Sequence, residues 1–248
     1  YYAALDLHEQ GVQVAALVDM RTNPADRALL IALEKRGIPC HLNSTVFEAL
    51  HEKGMRHVSG VDIRKITGLG QVANSSLHLD CDLLCMSGGY MPVYQLLCQA
   101  GGKLSYDDQL AEFTLSGLPK NLSVAGSAHG FHALDNVLAD ATRTATEIIT
   151  ALGLVINVKP LPLRPEAQVN FPWPIFPHPK GKDFVDFDED LQVRDIINAT
   201  KIGYRDVQLV KRYSTVGMGP SQGRHSALPT ARLVACLLYT SDAADDMQ

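Results

Sequence analysis

Apolar and polar positions along this chain fall into short, changing periods. Tyr1–Gln10 carries Ala4, Leu5 and Leu7 in one helical segment, closed by Gly11 as a C-cap. Val12–Val18 is apolar except for Gln13, the pattern of a strand buried on both faces, and Asp19 ends it. Asn23 is placed to cap a second helix, with Pro24 at its first position and Gly37 just beyond its end. Short strands are expected at Cys40–Leu42 and Val46–Ala49. A better one is expected at His57–Arg64, and two more at Leu77–Leu79 and Asp82–Met86. Helix, strand, helix, strand and then a meander is the order of the second half of a dinucleotide-binding α/β fold.

Val93–Gln99 predicts a short helix ending at Gly101-Gly102. Leu122–Ile149 predicts a strand, a glycine turn and a long helix. In that helix Leu134, Val137, Leu138, Ala141, Ala145, Ile148 and Ile149 recur on one face, read as a core stripe. Val158–Lys182 is rich in proline and is expected to be an extended linker, pinned to a surface by Phe171, Trp173 and Phe176. Leu191–Ile197 and Tyr204–Tyr213 predict two further helices, broken at Gly203. Lys211 and Arg212 sit where positive charge suits the helix dipole.

Composition narrows the function classes. With 248 residues the chain is long enough for one large domain or two smaller ones. The balance of 46% hydrophobic and 20% charged residues is that of a soluble globular protein. A net charge of −5 argues against nucleic acid or an anionic membrane surface as main partner. No apolar run approaches the roughly 20 residues of a membrane span. The five cysteines form no Cys-x-x-Cys pair, so reduced thiols in the cytoplasm are expected. Tyr1 is not an initiator Met, so the lack of a visible signal peptide carries no weight. Cys236–Asp246 reads like a translated sequencing adapter. Residues 236–248 are therefore set aside, and a piece of a longer chain is expected.

Candidate chemistry lies in a few places. An acid at the end of a strand, as Asp19 is, accepts hydrogen bonds from ribose hydroxyls in dinucleotide folds; otherwise it starts a turn. Arg21 beside it either reads a 2′-phosphate or is a surface residue. Gly88 and Gly89 follow an apolar run and permit close backbone approach to a ligand or simply a tight turn. Gly126, Ser127 and Gly130 lie between strand and helix, where a helix N-terminus favours anionic groups. His129 and His132 flank that turn without the spacing of a triad or metal site. Asp186 and Asp188 with Ser221 and Ser226 form a poor cation set. No catalytic residue and no metal ligand is expected.

The stretch Asp183–Ser226 resembles the small helical domain that binds a [2Fe–2S] cluster in ferredoxin-like proteins and amine dehydrogenases. Such clusters need four thiolates. Here the first pair reads Asp186 and Asp188, and the second reads Ser221 and Ser226, so the resemblance implies the fold without the cluster. Together with Gly88-Gly89, Gly101–Leu104, Phe184–Phe187 and Lys211–Met218, the chain resembles the alpha-subunit family of heterotetrameric sarcosine oxidase. The resemblance implies a partial Rossmann-like, glutathione-reductase-like α/β domain over 1–155 and a proline-rich linker over 156–182. It implies a small helical domain over 183–235, ahead of the tail at 236–248.

The resemblance also implies an NAD on this subunit, an FMN at a subunit interface and an FAD on another subunit. Tetrahydrofolate would bind a domain beyond Ala235. The other oxidase subunits are then partners in a complex that demethylates sarcosine to glycine. The resemblance sets Gly88 and Gly89 beside the nucleotide, and likens Gly126, Ser127 and Gly130 to the terminal nucleotide motif, with Ser127 in place of the usual Asp. The alternatives are an NAD(P)H–flavin reductase, a subunit of a related FAD-dependent amine or proline dehydrogenase, and a non-catalytic assembly module.

Overall fold

The computed structural model describes residues 1–245 apart from 24–26, 55, 165–169, 174 and 182, with side chains described through residue 238. The expected helix start at Pro24 lies outside the described residues. The chain forms two units that do not follow its linear order: Tyr1–Leu42 with Leu84–Pro172, and Asn43–Leu83 with Trp173–Gln248.

In the first unit α1 (Tyr2–Glu9) and α2 (Arg27–Lys35) bury Leu5 and Leu33 against Ile38. Strand β1 (Leu17–Asp19) runs parallel to β2 (Cys40–Leu42), with Leu17 opposite Cys40 and Asp19 opposite Leu42. The expected strand over Val12–Val18 is therefore mostly absent, and Val12 is 44% exposed. A strand exists only where a partner backbone takes its hydrogen bonds, and β2 offers three residues. For the same reason the strand expected over Asp82–Met86 is absent; Leu83 and Met86 are exposed.

After α3 (Gln95–Gln99), a hairpin that the periodicity did not announce joins β6 (Lys103–Asp107) to β7 (Glu112–Gly117). Asp107 closes its turn, accepting from the N–H groups of Gln109 at 2.8 Å and Leu110 at 3.0 Å. A 3₁₀ turn (Gly126–His129) then leads into α4 (Leu134–Ala151). Here the structure overturns the stripe expected to be core. The buried residues of α4 are Asn136, Ala139, Asp140 and Thr144, whereas Leu134, Leu138 and Ile148 are exposed.

In the second unit β3 (Ser44–Leu50), β4 (Gly60–Gly68) and β5 (Gln71–Asp80) form the expected meander, in order β3-β4-β5 and antiparallel throughout. The proline-rich segment ends against it. Glu48 on β3 accepts from Lys180 Nζ at 2.7 Å, and His178 stacks obliquely on Phe47. Trp173 and Ile175 pack on the core of the helical part.

That part pairs β8 (Phe184–Asp186) with β9 (Leu191–Gln192) and continues into α5 (Val193–Lys201), α6 (Val207–Ser214) and α7 (Ala227–Asp245). Asp206 caps α6 by accepting from Gln208 N–H and Leu209 N–H, and Gly203, at φ +108°, makes the break before it. The core is Val185, Ile196, Ala199, Val210, Val216, Leu233 and Val234. Phe184 and Phe187 instead stack on each other outside it, with Phe187 76% exposed.

Candidate functional site

The glycine turn before α4 is built around a buried carboxylate that sequence reasoning missed. Asp140 is fully buried and accepts from Gly126 N–H at 2.9 Å and from Arg143 Nη2 at 2.6 Å; His129 Nδ1 lies 3.1 Å from its Oδ2. Burial pushes the Asp140 carboxyl up, but the hydrogen bonds from Arg143, Gly126 and His129 outweigh it and hold the group below its ordinary value. Gly126 is required at its position. Its φ is +70°, and a Cβ there would meet Val137 Cγ1 at 3.2 Å. Gly130, at φ +94°, ends the turn, and α4 then starts at Leu134, its N-cap Ala133 giving no side-chain cap. Ser127 is exposed on the turn's outer side. Gly126, Gly130 and Phe131 spend their N–H groups within the braced loop, so what it offers an anionic or polar ligand group is the N-terminus of α4.

A second buried acid ties this turn to the double glycine. Glu112 is 0% exposed, and its Oε1 lies 2.9 Å from His132 Nε2. Asn170 donates to Glu112 Oε2 at 3.2 Å and also grips Tyr90, accepting from its N–H at 2.6 Å and donating to its carbonyl at 2.9 Å. This grip explains Gly89: its φ is +105°, and a Cβ there would collide with Asn170 Oδ1. A Cβ on Gly130 would lie 3.8 Å from Glu112 Oε1. Gly89 and Gly130 are thus gathered around Glu112, while around Gly88 a Cβ would meet open space. The histidines at 129 and 132, with no partner visible in sequence, are each paired to a buried carboxylate. The available signal was the polar series Asn136, Asp140, Thr144 at four-residue steps on α4.

Asp19 ends β1 as expected but is engaged elsewhere. Arg21 grips it through Nη2 at 2.8 Å and Nε at 3.0 Å, and Tyr1 donates its hydroxyl at 2.7 Å. Burial raises the Asp19 pKa, and the bonds from Arg21 and Tyr1 more than reverse that, so the carboxyl is held below its ordinary value. Any ribose hydroxyl must share this carboxylate with Arg21.

Two of the four positions matching cluster cysteines, Asp186 and Asp188, are filled by carboxylates in self-contained hydrogen bonds. Asp186, 2% exposed, accepts from Asp188 N–H at 2.9 Å and Gly217 N–H at 2.7 Å. Asp188 accepts from Ser221 N–H at 2.8 Å. Ser226 Oγ is buried with no hydrogen-bond partner. Hard oxygens, those of Asp186 and Asp188 already committed to backbone N–H groups, do not fit a [2Fe–2S] cluster. Among the described residues there is no group of His, Cys, Asp and Glu suited to a metal ion, and no helix is long and apolar enough to cross a membrane.

Among solved structures, L-proline dehydrogenase from P. horikoshii superposes with a TM-score of 0.60 at 19% identity, covering 94% of this chain and 47% of that one. The fold is that of a Rossmann-like α/β protein carrying a small helical part. Residues 180–245 match the sarcosine oxidase A3 domain. The sarcosine oxidase subunit alpha of Rhizobium meliloti (strain 1021) is 32% identical over 238 residues, 95% of this chain. That of Corynebacterium sp. (strain U-96) is 29% identical over 67% of this chain and 18% of its own length. Over nearly its whole length the chain is thus similar to sarcosine oxidase alpha subunits, and residues 180–245 carry the match to their A3 domain. It spans 22% of the length of the Rhizobium relative.

Proposed function

We propose that this chain is the nucleotide-binding and scaffolding part of the alpha subunit of a flavin-linked sarcosine oxidase. The observation that carries the reading is the braced turn Gly126–Gly130 ahead of an uncapped helix, in a chain whose relatives bear that name. In the assembled enzyme the methyl carbon of sarcosine is oxidised and passed to tetrahydrofolate, leaving glycine. NAD is the nucleotide of this subunit, FMN sits at an interface and FAD on a partner subunit. The division into 1–155, 156–182, 183–235 and a tail at 236–248 belongs to the same proposal. Within it the chain's own residues hold and orient rather than react. Asp19 accepts from a ribose hydroxyl, sharing its charge with Arg21. Gly126, Ser127 and Gly130 face polar groups of the nucleotide, and Gly88 and Gly89 let backbone approach it. Asp140 and Glu112 keep those loops in place. A bound dinucleotide supplies the hydroxyls and phosphate oxygens that such groups recognise.

The test uses the complete complex, its nucleotides released by acid and counted by chromatography. The expected result is a stoichiometric dinucleotide that Asp19→Ala weakens, because the ribose loses a charge-assisted hydrogen bond worth about 1.5–3 kcal/mol. A complex that carries no nucleotide beyond the partner's FAD and the FMN overturns the reading in favour of an assembly module. Unchanged affinity in Asp19→Ala removes the ribose role alone.

A further inference from the structure

Helix hydroxyls elsewhere in this chain find a carbonyl. Thr142, Thr146 and Thr150 on α4 each donate to the carbonyl four residues back at 2.8 Å, and Ser214 at the end of α6 donates to Val210 O at 2.7 Å. Two hydroxyls at the start of α7 do not. Ser226 and Thr230 are each 1% exposed, and among the described residues neither Ser226 Oγ nor Thr230 Oγ1 has a hydrogen-bond partner. A serine just ahead of a helix ordinarily accepts from the N–H of its second or third residue. The third residue of α7 is Pro229, which has no N–H. The carbonyl four residues before Thr230 is that of Ser226, and it takes the Thr230 N–H at 3.0 Å. Buried side-chain hydroxyls are rarely left without a partner, and a pair of them one turn apart asks for one.

We propose that Ser226 and Thr230 hold one internal water molecule between them, at the base of the helical core. Residues four apart on a helix share a face, with Cβ atoms about 5–6 Å apart. One water spans such a gap with two bonds of about 2.8 Å each. The face is the inward one, since it carries Leu233 and Val234 of the core one turn further on. Beside Ser226 the loop offers bare backbone rather than side chains. Gly217 and Gly223, at φ +73° and +75°, stand against each other, and a Cβ on Gly217 would lie 3.7 Å from Ser226 Oγ and 3.3 Å from Gly223 Cα. The missing methyl leaves its space next to the hydroxyl. The chemistry of the pair selects the occupant. Two neutral hydroxyls both donate and accept, and they match a small neutral molecule that does the same. A cation would ask for anionic oxygens aimed at it. The carboxylate that reaches Gly217 is Asp186, and its two oxygens already receive Asp188 N–H at 2.9 Å and Gly217 N–H at 2.7 Å. A buried water typically makes two to four bonds to polar groups that the protein leaves unmatched.

The experiment compares Ser226→Ala, Thr230→Val and the double variant in the complete complex, reading hydrogen-exchange protection at Val234 N–H. With a shared water, either single replacement strands the other hydroxyl, and protection should fall about 3- to 10-fold. The double replacement removes both partners of the water at once, so protection should return to within about twofold of the parent. Hydroxyls that are simply unpaired give the opposite sign: each single replacement relieves a buried polar group, protection rises or stays level, and the two effects multiply. That outcome overturns the proposal. A crystal structure of the unsubstituted complex gives a reading that needs no variant to fold. One density peak within hydrogen-bond distance of both Ser226 Oγ and Thr230 Oγ1 is expected. Hydroxyls bonded directly to protein carbonyls, or a peak with the coordination of a metal ion, overturn it.

Discussion

Removing the Asp140 carboxylate should loosen the glycine turn before anything else. In Asp140→Ala the Gly126 N–H loses its acceptor in a buried site, where an unmade hydrogen bond costs about 1–3 kcal/mol. His129 and Arg143 lose a charged partner too, but Arg143 is 42% exposed on its side chain and rehydrates, so its share is small. The sum is about 2–4 kcal/mol of local stability. Asp140→Asn keeps an oxygen for Gly126 and should cost about half as much. Native-state hydrogen exchange in the complete complex reads this directly. Protection at Gly126 N–H should fall roughly 25- to 1,000-fold in the alanine variant, and less in the asparagine variant.

The pH dependence gives an independent check on the same carboxylate. Asp140 has a lowered folded-state pKa, so its contribution is fully present above the unfolded value of about 3.9 and is lost as pH falls through the lower folded value. The alanine variant should therefore lose less protection than the parent on acidification below about pH 4. Equal protection in parent and variant at neutral pH, or an unchanged acid slope, would refute the bracing role.

Gly89→Ala forces a side chain into a left-handed backbone against Asn170, and should cost about 1–3 kcal/mol and release the Tyr90 peptide; unchanged hydrogen exchange at Tyr90 would count against it. Asp186→Ala strands the N–H groups of Asp188 and Gly217 and should destabilise the helical part by about 2–4 kcal/mol, read as a lower urea midpoint for its helical signal; an unmoved midpoint refutes the tether. The complete subunit, produced in iron-rich medium, should show no iron or acid-labile sulfide bound to the segment 180–245, and a chelator should leave its melting unchanged. A stoichiometric cluster assigned there would mean that Asp186, Asp188, Ser221 and Ser226 do not occupy the ligand positions.

Much of the architecture was legible because its causes are local. Gly11, Gly37 and Gly203 sit at positive φ where helices stop, although the helix expected from Tyr204 begins only at Val207, after the cap made by Asp206. The meander followed from alternation around Val61 and Ile63, both buried. What escaped reading depends on contacts distant in sequence. The strand over Val12–Val18 failed because ladder length is set by the partner, and β2 is short. The hairpin of β6 and β7 was hidden because its buried residue is Glu112, whose burial depends on His132 and Asn170 from elsewhere in the chain. The polarity of α4 was inverted because periodicity identifies an apolar face but not what covers it. At the candidate site the glycines were visible as glycines. The acids behind them were harder to see: Asp140 shows only as one member of the four-residue polar series on α4, and nothing in the spacing of Glu112 marks it as a loop brace.

The loop tethers made by Asp186 and Asp188 have a consequence for how the subunit is made. A thiolate-held inorganic centre ties a domain's maturation to sulfur mobilisation, metal delivery and protection from oxygen. Carboxylates that receive N–H groups from Gly217 and Ser221 ask for none of these. Once Leu233 and Val234 of α7 have joined its core, the helical part can close in aerated or metal-poor cells alike, and a burst of peroxide that would strip a cluster leaves its fastening untouched.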